Sequence, residues 1–392
     1  MIDRPFTRRD LLRRGLVGGA ALSLPGLLAA CGGDGGIEGQ AGQTESGEET
    51  TAERKLAQQL VFANWTFYID VNEKTKKRPT LEKFTRETGV KVRYVEEVND
   101  NEEWFGKYQA QLKAGDDIGR DIVVLTDWMA ARMIRLGYVQ KKDKEAIPNE
   151  QNLNPALASP GWDPSRDYSL PWQSGLTGIA FNKKTIGRVT TVDQLLTDPK
   201  LKGKVTMLSE MPDTMGVLIA AQGDDPTKVT DDAFDKAIGT LQEAVDSGQI
   251  RRFTGNDYAE DLATGNVWAC LAWSGDIAAG IKNPSIDFTV IDTGSHLWTD
   301  NMLIPNGGDV FTASTYMNYV YDPAVAAEIA AYVYYITPVE GTEERIAEFD
   351  ESAVGNELIF PTEETLGKTF IFDAEASDNP DYKEKFQAVI GA

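Results

Sequence analysis

Tryptophan beside a carboxylate occurs twice in the second half of this chain, in Trp273-Ser274-Gly275-Asp276 and in Trp298-Thr299-Asp300. An indole face next to an anion suits an organic cation, because ring quadrupole and carboxylate attract the same charge. Residues Val267 to Ala272 are apolar and bounded by Gly265 and Gly275, which predicts a short strand buried on both faces. Open α/β sheets place ligands outside the carboxyl ends of their strands, so Trp273 and Asp276 fall where such a fold keeps its site. Each pair taken alone is also what a core tryptophan and a turn-capping aspartate look like, and Asp276 in the first turn of a helix is favoured by the helix dipole.

Three further predicted strand ends carry the same residue types: Trp65 with Tyr68, Asp127 with Trp128, and Glu210 with Asp213. A protonated linear amine needs this mixture, since each ammonium requires a carboxylate while the methylenes between them favour aromatic walls. A desolvated charge pair is worth about 1.5–3 kcal/mol net, and a cation-π contact about 0.5–2 kcal/mol. Several together reach micromolar affinity, about −8 kcal/mol.

The elements that must position these residues follow from periodicity. Leu60 to Ala63 reads as a strand, with Asn64 to Tyr68 as the loop at its carboxyl end. A helix over Thr80–Thr88 stops at Gly89, Val90–Val95 alternates as a strand, and a helix over Glu102–Lys113 precedes the buried strand Asp121–Leu125. Strand alternating with helix predicts an α/β fold with a parallel sheet and right-handed crossovers. The apolar, glycine-bearing segment Tyr168–Asn182 reads as a crossover where one sheet ends and another begins. Val205–Leu208 resumes a strand pattern, with a helix from Thr214. Phe234, Ile238, Leu241 and Val245 form the stripe of an amphipathic helix capped near Asp231. A short helix over Asp257–Ala263, a helix from Ser274 to Ile281 and a strand over Ile286–Ile291 follow, and Trp298–Pro305 predicts a second crossover. Asp322-Pro323 starts a helix with Val325, Ile329, Tyr332, Val333 and Ile336 on one side, ending before Pro338.

Composition sets the outer bounds. The 392 residues suit two domains of ordinary size. Thr7-Arg8-Arg9-Asp10-Leu11-Leu12 reads as a twin-arginine export signal, and Leu28-Ala29-Ala30-Cys31-Gly32 has the form of a lipoprotein cleavage box. The expected mature chain therefore starts at Cys31, lipidated there and tethered to the outer face of a bacterial cytoplasmic membrane. The run from Leu16 to Ala30 holds glycines and a proline and is short for a membrane span. Removal of residues 1–30 takes the net charge from −22 to −25, a surface that repels nucleic acid and attracts cations. With Cys31 lipidated, Cys270 has no partner for a disulfide. The single histidine, His296, argues against a histidine-based triad or zinc site and reads as a structural or site-edge residue. Residues 31–56 are glycine-rich and acidic and predict a flexible tether.

The export signal, the lipobox and the sequence from about Leu60 to Ile336 resemble the bacterial periplasmic spermidine/putrescine-binding proteins, the substrate-binding components of ABC-type polyamine importers. Asn64-Trp65-Thr66-Phe67-Tyr68 is similar to that family's first aromatic loop, Leu170-Pro171-Trp172 to its first hinge strand, and the two tryptophan-aspartate motifs to its acid-bearing aromatic motifs. The resemblance implies a two-lobed periplasmic-binding-protein fold, type II-like, with crossover hinge strands and the polyamine held between the lobes. Lobe 1 would comprise 57–174 and 299–345, and lobe 2 would comprise 175–298 and 346–392. Trp65, Tyr68, Trp273 and Trp298 would box the aliphatic chain, Asp276 and Asp300 would face ammonium groups, and Glu210 and Asp213 would hold a terminal amine. Thr66 and Thr126 would offer hydroxyls, and Trp128 stands where the family often has a tyrosine. The implied protein is a monomer that works with an ABC permease and uses neither cofactor nor metal. Departures from the pattern are a long insertion over Asp70–Pro79, no match for a hinge-region tyrosine near Val354, and no match for a C-terminal glutamine contact.

Other readings compete. A binding protein for another organic cation, an oligopeptide or a sugar keeps the fold, but four or five acids facing one cleft are too many for a neutral ligand. Adjacent Tyr334 and Tyr335 suggest ferric iron, although their place in a helix stripe predicts ordinary packing. A secreted glycoside hydrolase would use Glu210 with Asp213, or Asp276 with Asp300, as its carboxyl pair.

Overall fold

A computed structural model describes residues 54–280 and 283–391. The predicted signal peptide over 1–30, Cys31 and almost all of the predicted tether lie outside the described residues.

Among the described residues, eleven strands form one sheet: β1 (Gln59–Trp65), β2 (Lys91–Val98), β3 (Ile122–Thr126), β4 (Val139–Gln140), β5 (Ser169–Asn182), β6 (Val205–Leu208), β7 (Ile250–Thr254), β8 (Ala269–Trp273), β9 (Ile286–Thr289), β10 (Ser295–Pro305) and β11 (Thr369–Phe370). The main path runs β2-β1-β3-β10-β5-β8-β6-β7, with β4 and β11 paired to β10 and β9 paired to β5. Each flank is parallel, β2-β1-β3 on one side and β8-β6-β7 on the other. The two long central strands are antiparallel to each other, and each is antiparallel to the flank it pairs with, β10 to β3 and β5 to β8. The predicted crossover segments are therefore the seam of one continuous sheet, whereas the sequence suggested that one sheet ends and another begins there. Both flanks find ladder partners at the seam, so neither leaves its inner edge unpaired.

Along β10, Asp300–Leu303 pairs with β3, while along β5 Thr177–Phe181 pairs with β8. The two strands run side by side from His296/Thr177 to Leu303/Ser169, with an irregularity between Asp300 and Asn301. A bulge turns side chains out of strict alternation, and here it lies at a candidate site residue. A third segment crosses beside them: Ser174 and Ile336 exchange two backbone hydrogen bonds of 2.8 Å.

That third segment corrects the helix predicted to continue almost to Pro338. The helix is Pro323–Val333, and Tyr334 ends it at φ 56°, a left-handed conformation in which its amide donates back to Ala330. Beyond this cap the chain is extended, so Tyr335 and Ile336 leave the helical stripe. Elsewhere the predicted helices hold with shifts of a few residues, as in Pro79–Thr88, Asn101–Ala114 and Asp231–Asp246. Phe234 and Leu241 are buried and Ile238 and Val245 pack against the core, as the amphipathic stripe requires. The segment predicted as a helix after Trp273 is a wider π-type turn over Asp276–Gly280.

Contacts to the body of the protein already begin at Arg54, within the last residues of the predicted tether. Arg54 pairs with Asp143 at 3.1 Å and Glu145 at 2.5 Å, and the Ala57 amide donates to Thr312 Oγ1 at 2.8 Å. In the C-terminal part, Ile346, Ala353 and Ile359 pack with Ala330 and Ala331, while Tyr382 of the helix Pro380–Ile390 stacks on Phe234 at 4.0 Å.

Candidate functional site

The carboxyl ends of β1, β3, β6 and β8 converge on a narrow cavity with about 350 Å³ of space between its atoms, its solvent-open mouth included. It is lined by Trp65, Thr66, Tyr68, Asn101, Thr126, Glu210, Asp213, Asn256, Trp273, Asp276, Trp298, Asp300 and Tyr335. Ten of the twelve residues singled out from the sequence are therefore brought together, all but Asp127 and Trp128. No residue of the Asp70–Pro79 insertion lines the cavity; Asp70 turns inward instead and accepts from the Thr80 amide at 2.9 Å.

The aromatic rings form a connected wall. Trp65 meets Trp273 edge to face at 5.6 Å, Trp273 meets Trp298 at 6.4 Å, Trp298 meets Tyr335 at 5.5 Å, and Tyr335 meets Tyr68 at 4.9 Å. Local backbone explains two of these placements. The chain reverses at Phe67 (φ 59°) directly after β1, which carries Tyr68 back over the seam. A methyl group on Gly275 would lie 2.4 Å from the Tyr335 ring, so the glycine leaves the space that Tyr335 fills.

The four carboxyls are 2–6 % exposed, and no lysine or arginine is among the lining residues. Asp300 accepts from Tyr68 OH at 2.8 Å and from Thr126 Oγ1 at 2.7 Å. Thr126 precedes the helix Asp127–Arg135 but makes no side-chain cap there; its hydroxyl is used on Asp300 instead. Asp276 accepts from Asn256 and Tyr258 at 2.7 Å each and from Tyr335 at 2.8 Å. Asp213 accepts from Thr177 and lies 3.2 Å from His296 Nδ1. Glu210 accepts from the Asn101 amide at 2.6 Å and from Asn101 Nδ2 at 2.9 Å.

Burial pushes the Asp300 carboxyl up to about 7, against the lowering pull of the Thr126 and Tyr68 hydroxyls. Asp276 is raised by burial in spite of its three donors. Burial, with Asp100 nearby, holds Glu210 well above the usual carboxylate range. Hydroxyl and amide donors thus orient these oxygens without cancelling their charge. An entering ammonium would meet oriented acceptors and would itself supply the positive charge that favours their ionised form.

Trp128 is not brought to the cavity. It is the second residue of the helix Asp127–Arg135, about 100° around the axis from Asp127. Asp127 accepts from Asn301 Nδ2 at 2.6 Å, whereas the Trp128 ring faces Arg132 at 5.0 Å and Lys383 at 5.4 Å in an outer groove. Sequence reasoning missed Asn101, Asn256 and Tyr335. Asn256 precedes a predicted helix and Asn101 borders another, so nothing local marked them. Tyr335 was assigned to helix packing because a left-handed tyrosine cap carries no glycine signal. Its neighbour Tyr334 points elsewhere, to Asp350 and Ser352, so the two tyrosines do not form a common ligand pair.

A sheet of two parallel flanks joined by long crossing strands, with a cavity at the seam, is the architecture of two-lobed binding proteins. The chain superimposes on the Tp0655 lipoprotein of Treponema pallidum with a TM-score of 0.69 at 23 % identity, covering 85 % of this chain and 100 % of that one. It is 30 % identical over 331 residues to the putrescine-binding periplasmic protein SpuD of Pseudomonas aeruginosa, covering 79 % of this chain and 85 % of the relative. It is 26 % identical over 310 residues to the spermidine/putrescine-binding periplasmic protein of Escherichia coli, covering 78 % and 84 %. The profile of the bacterial extracellular solute-binding proteins matches residues 80–353, and this chain belongs to that family.

Proposed function

We propose that this chain is the substrate-binding lipoprotein of an ABC importer and that it captures a polyamine, spermidine or putrescine, in the aromatic and acidic cavity. One observation carries the reading: buried carboxyls line a cavity walled by aromatic rings, and no lysine or arginine is there to neutralise them. The names of the two curated relatives support the same chemistry. Trp65, Tyr68, Trp273 and Trp298, joined by Tyr335, box the methylenes, and Asp276 and Asp300 receive ammonium groups. Thr66, Thr126 and Asn256 supply neutral contacts.

The protein binds without catalysing a reaction, as a monomer anchored through Cys31 after export by the twin-arginine signal, and hands its ligand to a permease. Its lobes, 57–174 with 299–345 and 175–298 with 346–392, open and close about β5, β10 and the segment at Tyr335. A ligand drives such a hinge only by contacting both lobes. Trp65, Tyr68 and Asp300 contribute from one lobe and Trp273 and Asp276 from the other. Calorimetric titration with putrescine, spermidine and spermine, with lysine and a neutral sugar as controls and at two salt concentrations, tests this. Saturable one-to-one binding to a polyamine is expected; binding to none of them would refute the ligand assignment.

A further inference from the structure

Arg166, outside the cavity, combines two costly features. It is 3 % exposed, and its backbone takes the left-handed conformation at φ 48° although it is not a glycine. A buried guanidinium and a left-handed side-chain-bearing residue both cost free energy, and they persist where the surrounding structure uses them. The turn that holds Arg166 is built around Asp163, whose carboxylate accepts the amides of Asp167 at 2.9 Å, Tyr168 at 3.1 Å and Ser169 at 2.9 Å. From this turn Nε and Nη2 of Arg166 donate to the Leu157 carbonyl at 3.0 and 2.6 Å. Its Nη1 donates to Ser169 Oγ and to Oδ1 of Asn301, both at 2.8 Å.

Asn301 follows Asp300 in β10 and is fully buried. Its Nδ2 donates to Asp127 Oδ1 at 2.6 Å, so its amide lies between a guanidinium and a carboxyl. Thr126, the residue before Asp127, donates through Oγ1 to Asp300 at 2.7 Å. Two consecutive residues of β10 are thus tied by side chains to the two consecutive residues Thr126 and Asp127. The first tie lines the cavity, and the second lies outside it. The backbone ladder is interrupted at the same place. Opposite Asp300 and Asn301, β5 presents Gln173 and Pro171, with Trp172 as an extra residue between them. Pro171 has no N–H to offer β10, and β3 ends at Thr126. Where the ladder is interrupted, side-chain ties decide how the strand lies.

We infer that Asn301, anchored by Arg166 and Asp127, is a positioning residue that sets where the Asp300 carboxyl stands in the cavity and thereby governs ligand affinity without touching the ligand. The inference rests on the polyamine reading above and adds a residue to it. Truncation of Asn301 frees the interrupted stretch of β10, and Asp300 is then held by the Tyr68 and Thr126 hydroxyls alone.

The test is a double-mutant cycle read by calorimetric titration with putrescine and spermidine, on the full-length chain, Asn301→Ala, Asp300→Asn and the two replacements together. Asn301→Ala alone should raise the Kd of the tighter-bound amine about tenfold, whereas in the Asp300→Asn background it should change Kd less than about twofold. A purely structural loss weakens binding equally in both backgrounds. If circular dichroism shows Asn301→Ala to be misfolded, Arg166→Lys takes its place in the cycle. Lysine keeps the charge but cannot serve Leu157, Ser169 and Asn301 together, and Kd should rise about threefold when Asp300 is present. An unchanged Kd in the folded variant, or an equal loss in both backgrounds, overturns the role given to Asn301 and leaves the polyamine reading standing. Binding of no amine by the unaltered chain overturns that reading and this inference with it.

Discussion

Asp300 and Asp276 show how a buried acid can be oriented yet left without a positively charged partner. Their donors are tyrosine and threonine hydroxyls and one amide, which direct the lone pairs without supplying a positive charge. Asp300→Asn keeps the shape and the hydroxyl contacts but removes the anion, so the polyamine Kd should rise at least thirtyfold, about 2 kcal/mol or more. Calorimetry reads this directly, and an unchanged Kd would remove Asp300 from the ammonium site. The same burial makes a prediction about pH. Asp300 at about 7 and Asp127 at about 6, with Asp276 also raised, retain protons that the unfolded chain gives up near pH 4. The folded state therefore binds more protons over this window, and the unliganded protein should lose stability as pH rises from about 4 to about 7. A bound dication favours the ionised carboxyls, so the ligand-induced gain in melting temperature should be larger at pH 7.5 than at pH 5. Equal gains at both pH values would contradict the assignment.

At the scale of elements, the helix Asn101–Ala114 meets the opposite flank of the sheet through its N-terminus. Asp100 accepts from its own Glu103 amide at 3.0 Å as the helix cap and from Ser209 Oγ at 2.7 Å across the gap, next to the Glu210–Asn101 contact. Gly255 completes the junction: a methyl group there would lie 2.1 Å from the Asn99 carbonyl oxygen. Outside it, Arg132 reaches Glu102 at 2.8 Å and Asp378 at 3.0 Å, and Lys383 reaches the same two acids at 3.3 and 3.4 Å. Gly255 does not line the cavity. Gly255→Ala should therefore leave the ligand contacts and the fold intact while opposing closure. The expected result is a Kd raised about tenfold with an unchanged melting temperature in the absence of ligand. A wild-type Kd would show that Asn99 and Gly255 need not meet.

For the whole molecule, one sheet with two parallel flanks joined by an antiparallel seam allows the flanks to move about the strands that cross between them. Three crossing segments tie the flanks together: β5, β10 and the extended run through Tyr335 and Ile336. If these segments are the hinge, small-angle scattering should show a smaller radius of gyration on addition of a saturating polyamine. Gly255→Ala should show less of that compaction. A ligand-independent radius in the unaltered chain would mean that closure does not accompany binding.

Much of this was legible in the chain itself. The strands at Leu60, Val205 and Ala269, the amphipathic helix over Asp231–Asp246 and both crossover segments follow from local periodicity and punctuation, which depend on neighbours a few residues apart. Trp273 and Asp276 stood out because strand ends are where such a fold binds, and Trp298 and Asp300 because they repeat the pairing of tryptophan and aspartate in the second crossover. Other features required the tertiary structure. Trp128 is one helical position from Asp127, yet that rotation sends it to Arg132 and Lys383 instead of the cavity. Tyr335 enters the site because Tyr334 accepts a left-handed backbone without a glycine to announce it. Asn101 and Asn256 acquire their places only when remote segments pack against Glu210 and Asp276. The pairing of Asp213 with His296 joins residues 83 positions apart. Sequence determined which residue types stand at strand ends, because that is a local property. Which carboxyl meets a hydroxyl, an amide or an imidazole was decided by the fold, because those partners come from distant parts of the chain.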